Sequence, residues 1–255
     1  MPRKRAWLLC LLLLLAAACG GGSTWQQVQA RGTLRVGLDP TYPPFELADG
    51  IPLEGLDVDL ARALAADLGL TAEFTHYGYD GLYDALLTEQ VDVLISALVI
   101  APERTADFAY SEPYFNAGQV LILPADAAGI GGMADLDGRS LAVELGAQGH
   151  LVATEWARRL PALAVLPHDT PDAALAAVAA GQADAALVDA VSGRLYLKAH
   201  PAAALRRLPE PITVEPYAIV VRAPDQALLR ELNASLARLQ ASGELARITD
   251  DWLGE

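Results

Sequence analysis

The sequence predicts an α/β fold built as two lobes, and three observations carry that prediction. Short apolar segments alternate with amphipathic ones along the body of the chain, the pattern of parallel strands joined by crossover helices. One unit recurs: a helix end, Gln-x-Asp and an apolar strand, at Leu86–Leu94 and again at Val178–Leu187. One such unit in each of two lobes accounts for the repeat. The length of 255 residues suits one large domain or two ordinary lobes.

Each element has a local reason. Thr33–Leu38 reads as a strand. Asp57–Leu68 reads as a helix, with Leu60, Leu64 and Leu68 on one face and Gly69 past its end. Ala72–His76 is a second strand, Tyr79–Thr88 a helix and Val91–Ile95 an apolar strand. Gln119–Leu123 is a strand that stops at Pro124, and Gly129–Gly132 a loop. Leu141–Val143, Gly149–Arg159, Ala164–Leu166, Asp172–Ala180, Ala185–Val188 and Val191–Leu197 continue the alternation. Ala218–Val221 is a late strand, followed by helices over Gln226–Ser242 and Glu244–Trp252.

Composition excludes several classes. Apolar residues make up 53% and charged residues 20%, so the chain is not disordered. A net charge of −14 argues against nucleic acid, whose binding rests on Lys and Arg releasing counterions. Both cysteines, Cys10 and Cys19, precede the body, which therefore holds no disulfide, zinc-thiolate site or Cys nucleophile. His76, His168 and His200 have no metal spacing, so no metal and no cofactor is expected.

The N-terminus reads as an address. Arg3-Lys4-Arg5 is a positive segment, and Ala6–Ala18 an apolar run too short to span a bilayer. Ala16-Ala17-Ala18 precede Cys19, and Gly20–Thr24 follow. This resembles a bacterial lipoprotein signal, with Ala16 where the pattern usually has Leu. The division expected is a signal peptide over 1–18 and a lipidated Cys19 with a flexible tether over 19–31. Removing the signal takes away three basic residues and no acid, leaving −17.

In open α/β sheets, ligands bind beyond the carboxyl ends of strands. The residues there are Ser96-Ala97-Leu98, near Arg104, and Val188-Asp189-Ala190. A guanidinium grips a carboxylate with a fork, and a carboxylate accepts from an ammonium group. A zwitterion carries both partners. Other readings stay open: Arg104 as a surface residue, Asp189 as the cap of the next helix, Tyr42 as packing, and Asp39 as the cap of its own turn.

The chain resembles family 3 of the bacterial extracellular solute-binding proteins over about Gly32–Gly254. The resemblance is carried by Leu34–Asp39, Tyr42–Glu46, Glu54–Ala61, Asp92–Ile100, Pro102-Glu103-Arg104 and Phe108–Tyr114. It implies a two-lobed periplasmic-binding-protein fold with two crossover hinge strands, near Val120–Ala125 and Glu215–Val221, and a ligand cleft between the lobes. Lobe one is then 32–122 with 217–255, and lobe two 123–216. The family pattern implies that Tyr42 covers the ligand and Asp39 faces its side chain. Ser96 and Arg104 hold its α-carboxylate, and Asp189 its α-ammonium. Leu98, Gly146 and Gln148 complete the ligand-binding set. Val99 and Ala147 stand where the family usually has hydroxyl residues.

The function implied is an extracytoplasmic receptor of an ABC importer, lipid-anchored and monomeric. It captures an amino acid or related polar molecule by lobe closure and delivers it to a permease. A dehydratase of prephenate-like acids on the same fold is the rival, with Glu144 or His150 as its acid or base. A ligand-sensing domain is a third reading, disfavoured because no transmembrane helix or signalling module follows before Glu255.

Overall fold

The computed structural model describes residues 22–48 and 52–254. The lipidation expected at Cys19 and the signal over 1–18 lie outside them. Along the chain, α1 (Thr24–Arg31) leads into β1 (Thr33–Leu38), the hairpin β2 (Thr41–Tyr42) and β3 (Glu46–Leu47), α2 (Leu56–Asp67) and β4 (Thr71–His76). Then come α3 (Leu82–Leu87), β5 (Val93–Leu94), β6 (Phe108–Tyr110), β7 (Phe115–Asn116), β8 (Gln119–Pro124) and β9 (Ser140–Glu144). They are followed by α4 (Gln148–Ala157), β10 (Ala164–His168), α5 (Pro171–Ala179), β11 (Ala185–Asp189), α6 (Ala190–Ala199) and β12 (Leu205–Arg207). The chain closes with β13 (Pro216–Tyr217), β14 (Val220–Arg222), α7 (Gln226–Ser242) and α8 (Glu244–Leu253).

Two five-stranded sheets form the frame, ordered β4-β1-β5-β14-β6 and β10-β9-β11-β8-β12. In the first, β4, β1 and β5 run parallel and β14 is antiparallel to both its neighbours. The second repeats this plan, with β10, β9 and β11 parallel and β8 antiparallel to β11 and β12. The sequence repeat has a structural counterpart. Asp92 accepts from the Arg35 N–H at 2.9 Å and returns its own N–H to the Arg35 carbonyl. Asp184 does the same with Ser140, accepting its N–H at 2.7 Å. In each sheet the Gln-x-Asp unit ties the middle strand to its parallel neighbour. Asp92 is nearly buried and also takes ion pairs from Arg31 and Arg35.

The chain passes between the sheets at β7 and β13, which pair antiparallel, Pro216 opposite Asn116 and Tyr217 opposite Phe115. Asn116 Oδ1 accepts from the N–H groups of Gly118 and Glu215 at 3.1 and 2.7 Å, closing the ribbon. The second crossover falls inside the expected Glu215–Val221. The first does not fall at Val120–Ala125: Gln119–Pro124 is an interior strand of the second sheet, so Gln119–Ile122 pair there. Five successive buried residues give β8 an unbroken apolar run, which does not distinguish a sheet interior from a crossover.

Residues 24–31, expected as tether, form α1. Ser23 Oγ accepts from the Gln26 N–H, and the Gln26 side chain accepts from the Ser23 N–H, a capping box. Val28 is buried and Trp25 packs on the core of the first lobe. That anchoring, absent from a composition count, orders the segment. No helix among the described residues is long and apolar enough to cross a membrane.

Candidate ligand-binding site

A cavity of about 350 Å³ opens beyond the carboxyl ends of β1 and β5. Asp39, Thr41, Tyr42 and Glu46 line one side, Ser96 and Ala97 the floor, and Tyr79 and Tyr217 the rest. Tyr42 is 47% exposed and stacks on Phe45, ring centroids 5.7 Å apart. Its hydroxyl lies 3.4 Å from that of Tyr217 on β13, so the aromatic wall of the cavity reaches the crossover ribbon. Asp39 follows β1; its carboxylate accepts from Thr41 Oγ1 at 2.8 Å, the turn cap that the sequence left open. Among the described residues, no Lys, Arg or His lines this cavity.

Ser96 is brought to the floor with its donor already engaged. Its O–H donates to Glu46 Oε1 at 2.5 Å, and its oxygen accepts from the Asp39 N–H at 3.0 Å. A hydroxyl has one proton to give, so the carboxylate-donor role expected of Ser96 is already taken by Glu46. Leu98 is 1% exposed; it packs with Leu82, Leu94 and Phe108 and is a core residue, its carbonyl accepting from the Ala218 N–H. Val99 is exposed and bridges to Tyr217. Arg104, on a single helical turn over Pro102–Arg104, is exposed and lies outside the lining. Its guanidinium stands 4.2 Å from the centre of the Tyr83 ring, an aromatic group that also feels Tyr79.

The second lobe places Asp189 at the carboxyl end of β11, beside Glu144, Gln119 and Gly149 in a cavity of about 20 Å³. Asp189 Oδ1 accepts from the Ser192 N–H at 2.8 Å and caps α6. Oδ2 accepts nothing from the described residues, so the cap occupies only one of the two carboxylate oxygens. A Cβ on Gly149 would lie 2.6 Å from Gln119 Oε1 and 2.7 Å from the Leu187 carbonyl; the close approach of α4 to β11 requires glycine. Gly146 donates its N–H to His150 Nδ1 at 3.1 Å. Gln148 faces a separate groove with Glu155 and Arg158 and is not brought to Asp189.

Beneath the first cavity, Glu46 and Asp57 are fully buried. Burial pushes the Glu46 carboxyl up to about 10, helped by the charge of Asp57. Burial raises Asp57 too, opposed by the donors Ala97 N–H and Tyr114 O–H. Thr41, Glu46, Tyr79, Ala97 and Tyr217 line the cavity in addition to the residues expected from sequence. The signal available for Glu46 was its place after the aromatic of Tyr42–Glu46. Tyr217 falls inside the expected second crossover, Glu215–Val221, which places it between the lobes but does not mark its side chain as part of the cavity wall.

Residues 34–255 match the family described as bacterial extracellular solute-binding proteins, family 3. The chain belongs to this family. Among curated relatives, the L-cystine-binding protein TcyJ of Escherichia coli (strain K12) is 30% identical over 232 residues, 89% of this chain and 85% of that protein. The ABC transporter arginine-binding protein 1 of the same strain is 28% identical over 225 residues, 86% and 90% of the two chains. Among solved structures, an ancestral cyclohexadienyl dehydratase has a TM-score of 0.79 at 26% identity, covering 92% of this chain and 98% of that one. This family-3 protein is thus an extracellular solute-binding protein, built as two α/β lobes. The strand-end cavities described above lie one on each lobe.

Proposed function

We propose that the ligand is an amino acid with a cationic side chain, of the arginine or lysine kind. The observation that carries this reading is the first-lobe cavity, which presents Asp39 and three tyrosines and no lining cation among the described residues. A carboxylate without a cation attracts a guanidinium or ammonium group, and tyrosine faces add cation–π attraction. In this reading Asp39 receives the side chain and Tyr42 covers it. On closure Asp189 comes over from the second lobe to take the α-ammonium, and Arg104 leaves the Tyr83 ring for the α-carboxylate. The ligand couples to closure because it contacts both lobes only when they meet.

Calorimetry with arginine, lysine, histidine, glutamine and cystine tests this. Arginine or lysine is expected to bind tightest, and Asp189→Ala to weaken it by about tenfold or more. Tighter binding of cystine or glutamine overturns the cationic assignment. An Asp189→Ala variant with native affinity removes Asp189 from the site.

We read the protein as a receptor and not a dehydratase. His150 is committed to the Gly146 N–H, and the Glu144 side chain makes no hydrogen bond among the described residues, so neither belongs to an acid–base pair. Turnover of prephenate by the pure protein would reverse that reading. We also propose that Cys19 is lipidated and holds a monomeric receptor at the membrane, since two acyl chains suffice for stable anchoring. Cys19→Ala is then expected to move the protein from the membrane fraction to the soluble one; unchanged fractionation refutes the anchor.

A further inference from the structure

We propose that Glu46 and Asp57 share one buried proton, carried by Glu46, and that this acid pair positions the Ser96–Ala97 floor of the ligand cavity. Each carboxyl group has one oxygen occupied from the segment after β5. Ser96 O–H donates to Glu46 Oε1 at 2.5 Å. Ala97 N–H donates to Asp57 Oδ2 at 2.6 Å, where Tyr114 O–H adds a second bond at 3.0 Å. The other oxygen of each, Glu46 Oε2 and Asp57 Oδ1, has no donor among the described residues. The two groups stand side by side, held at one end by the adjacent residues Ser96 and Ala97 and at the other by the Asp57 N–H donating to the Phe45 carbonyl at 2.9 Å.

Two adjacent buried carboxylates repel, and orphaned acceptors in a dry site are costly. One proton between the leftover oxygens removes both problems. The surroundings decide which group carries it. Asp57 accepts two donors and stands in the first turn of α2, where the helix end favours negative charge. Glu46 accepts one donor and faces Asp39. The charge therefore rests on Asp57 and the proton on Glu46. The titratable groups facing the pair are Asp39 after β1, Tyr114 before β7 and Tyr217 on β13; none is a cation that would pull the proton off.

The pair has a structural task. Ala97 has φ +46°, a left-handed conformation unfavourable for alanine, and its N–H is held by Asp57. Ser96, held by Glu46, in turn fixes the Asp39 N–H at 3.0 Å. A chain of bonds thus runs from Tyr114 beside the crossover ribbon to the residue that meets the ligand. This positioning half of the inference rests on the cavity's being the ligand site; the proton half does not.

The pH dependence follows in sign. The unfolded chain releases this proton in the ordinary carboxyl range, whereas burial holds Glu46 up to about 10 in the fold. Its contribution to stability is complete below the ordinary range and is lost as pH rises towards 10. The folding constant falls by about tenfold per pH unit for one linked proton.

The test needs no ligand. In unliganded native protein at pH 8, the infrared carbonyl band of a protonated carboxylic acid is expected, and Glu46→Gln removes it. The amide imitates the acid, donating to Asp57 and accepting from Ser96. Urea unfolding between pH 6 and 9 is therefore expected to lose one proton's worth of pH dependence in Glu46→Gln. The Ala97 amide exchanges slowly in the native and Gln proteins and roughly tenfold or more faster in Glu46→Leu, which makes neither bond. No band removed by Glu46→Gln, or an unchanged pH slope, overturns the shared proton. Native Ala97 protection in Glu46→Leu overturns the positioning role. If the Leu variant does not fold, Glu46→Ser with the same exchange measurement takes its place.

Discussion

Replacing Asp39 by Asn is expected to weaken arginine binding by roughly 100-fold while leaving the fold intact. Asn keeps the size of the side chain and an oxygen for the Thr41 hydroxyl, which now bonds Asp39 at 2.8 Å. It gives up the charge. With Glu46 holding the proton of the buried pair, Asp39 is the carboxylate that the first-lobe cavity offers a cation. A charge-assisted bond contributes about 1.5–3 kcal/mol, and a bidentate guanidinium pair lies at the upper end, which converts to about 10- to 150-fold in affinity. Calorimetry reads the affinity, and the preference for arginine over glutamine is expected to shrink in step. A loss smaller than about fivefold would show that Asp39 does not meet the side chain.

Gly55→Ala is expected to cost about 3 kcal/mol or more of stability. A Cβ at this position would lie 2.1 Å from the Phe45 carbonyl oxygen and 2.8 Å from the Glu46 Cα, with φ at +140°. Both the contact and the dihedral are forbidden to an L side chain. Relief is hard to find because both sides are tied. The Phe45 carbonyl accepts from the Asp57 N–H at 2.9 Å, and the Pro44 carbonyl from the Leu56 N–H at 3.0 Å. Pushing them apart moves Glu46 away from Asp57, so the penalty includes exposing or unpairing the buried acids. Urea unfolding measures the loss. A change under about 1 kcal/mol would mean that this junction yields more easily than its bonds imply.

Much of the fold is legible in the residues. The helices over Gln226–Ser242 and Glu244–Leu253 and the strand over Thr33–Leu38 follow from period and caps. The two Gln-x-Asp units mark equivalent places in the two sheets. What escapes is short. The hairpin of β2 and β3 and the ribbon of β7 and β13 are two-residue strands, too brief for any period to show. The site divides in the same way. Asp39, Tyr42 and Ser96 line the first-lobe cavity and Asp189 the second. Leu98 is turned into the core, Arg104 lies on Tyr83, Gln148 faces another groove, and Gly146 has its N–H on His150.

By itself the sequence determined the family, the two-lobed α/β plan and the segments that line the two strand-end cavities. These depend on hydrophobic period, caps and motifs, which are local and are written in neighbouring residues. Only the tertiary structure decided that Ser96 donates to Glu46, that Asp57 holds the Ala97 amide and Tyr114, and that Tyr217 closes the aromatic wall. Those pairs are separated by 40 to 175 residues in the chain. Whether a buried carboxyl is charged, and whether a hydroxyl is free to give, depends on which distant atoms share its desolvated space. A one-dimensional reading places the residue near the site; the fold sets its proton and its direction.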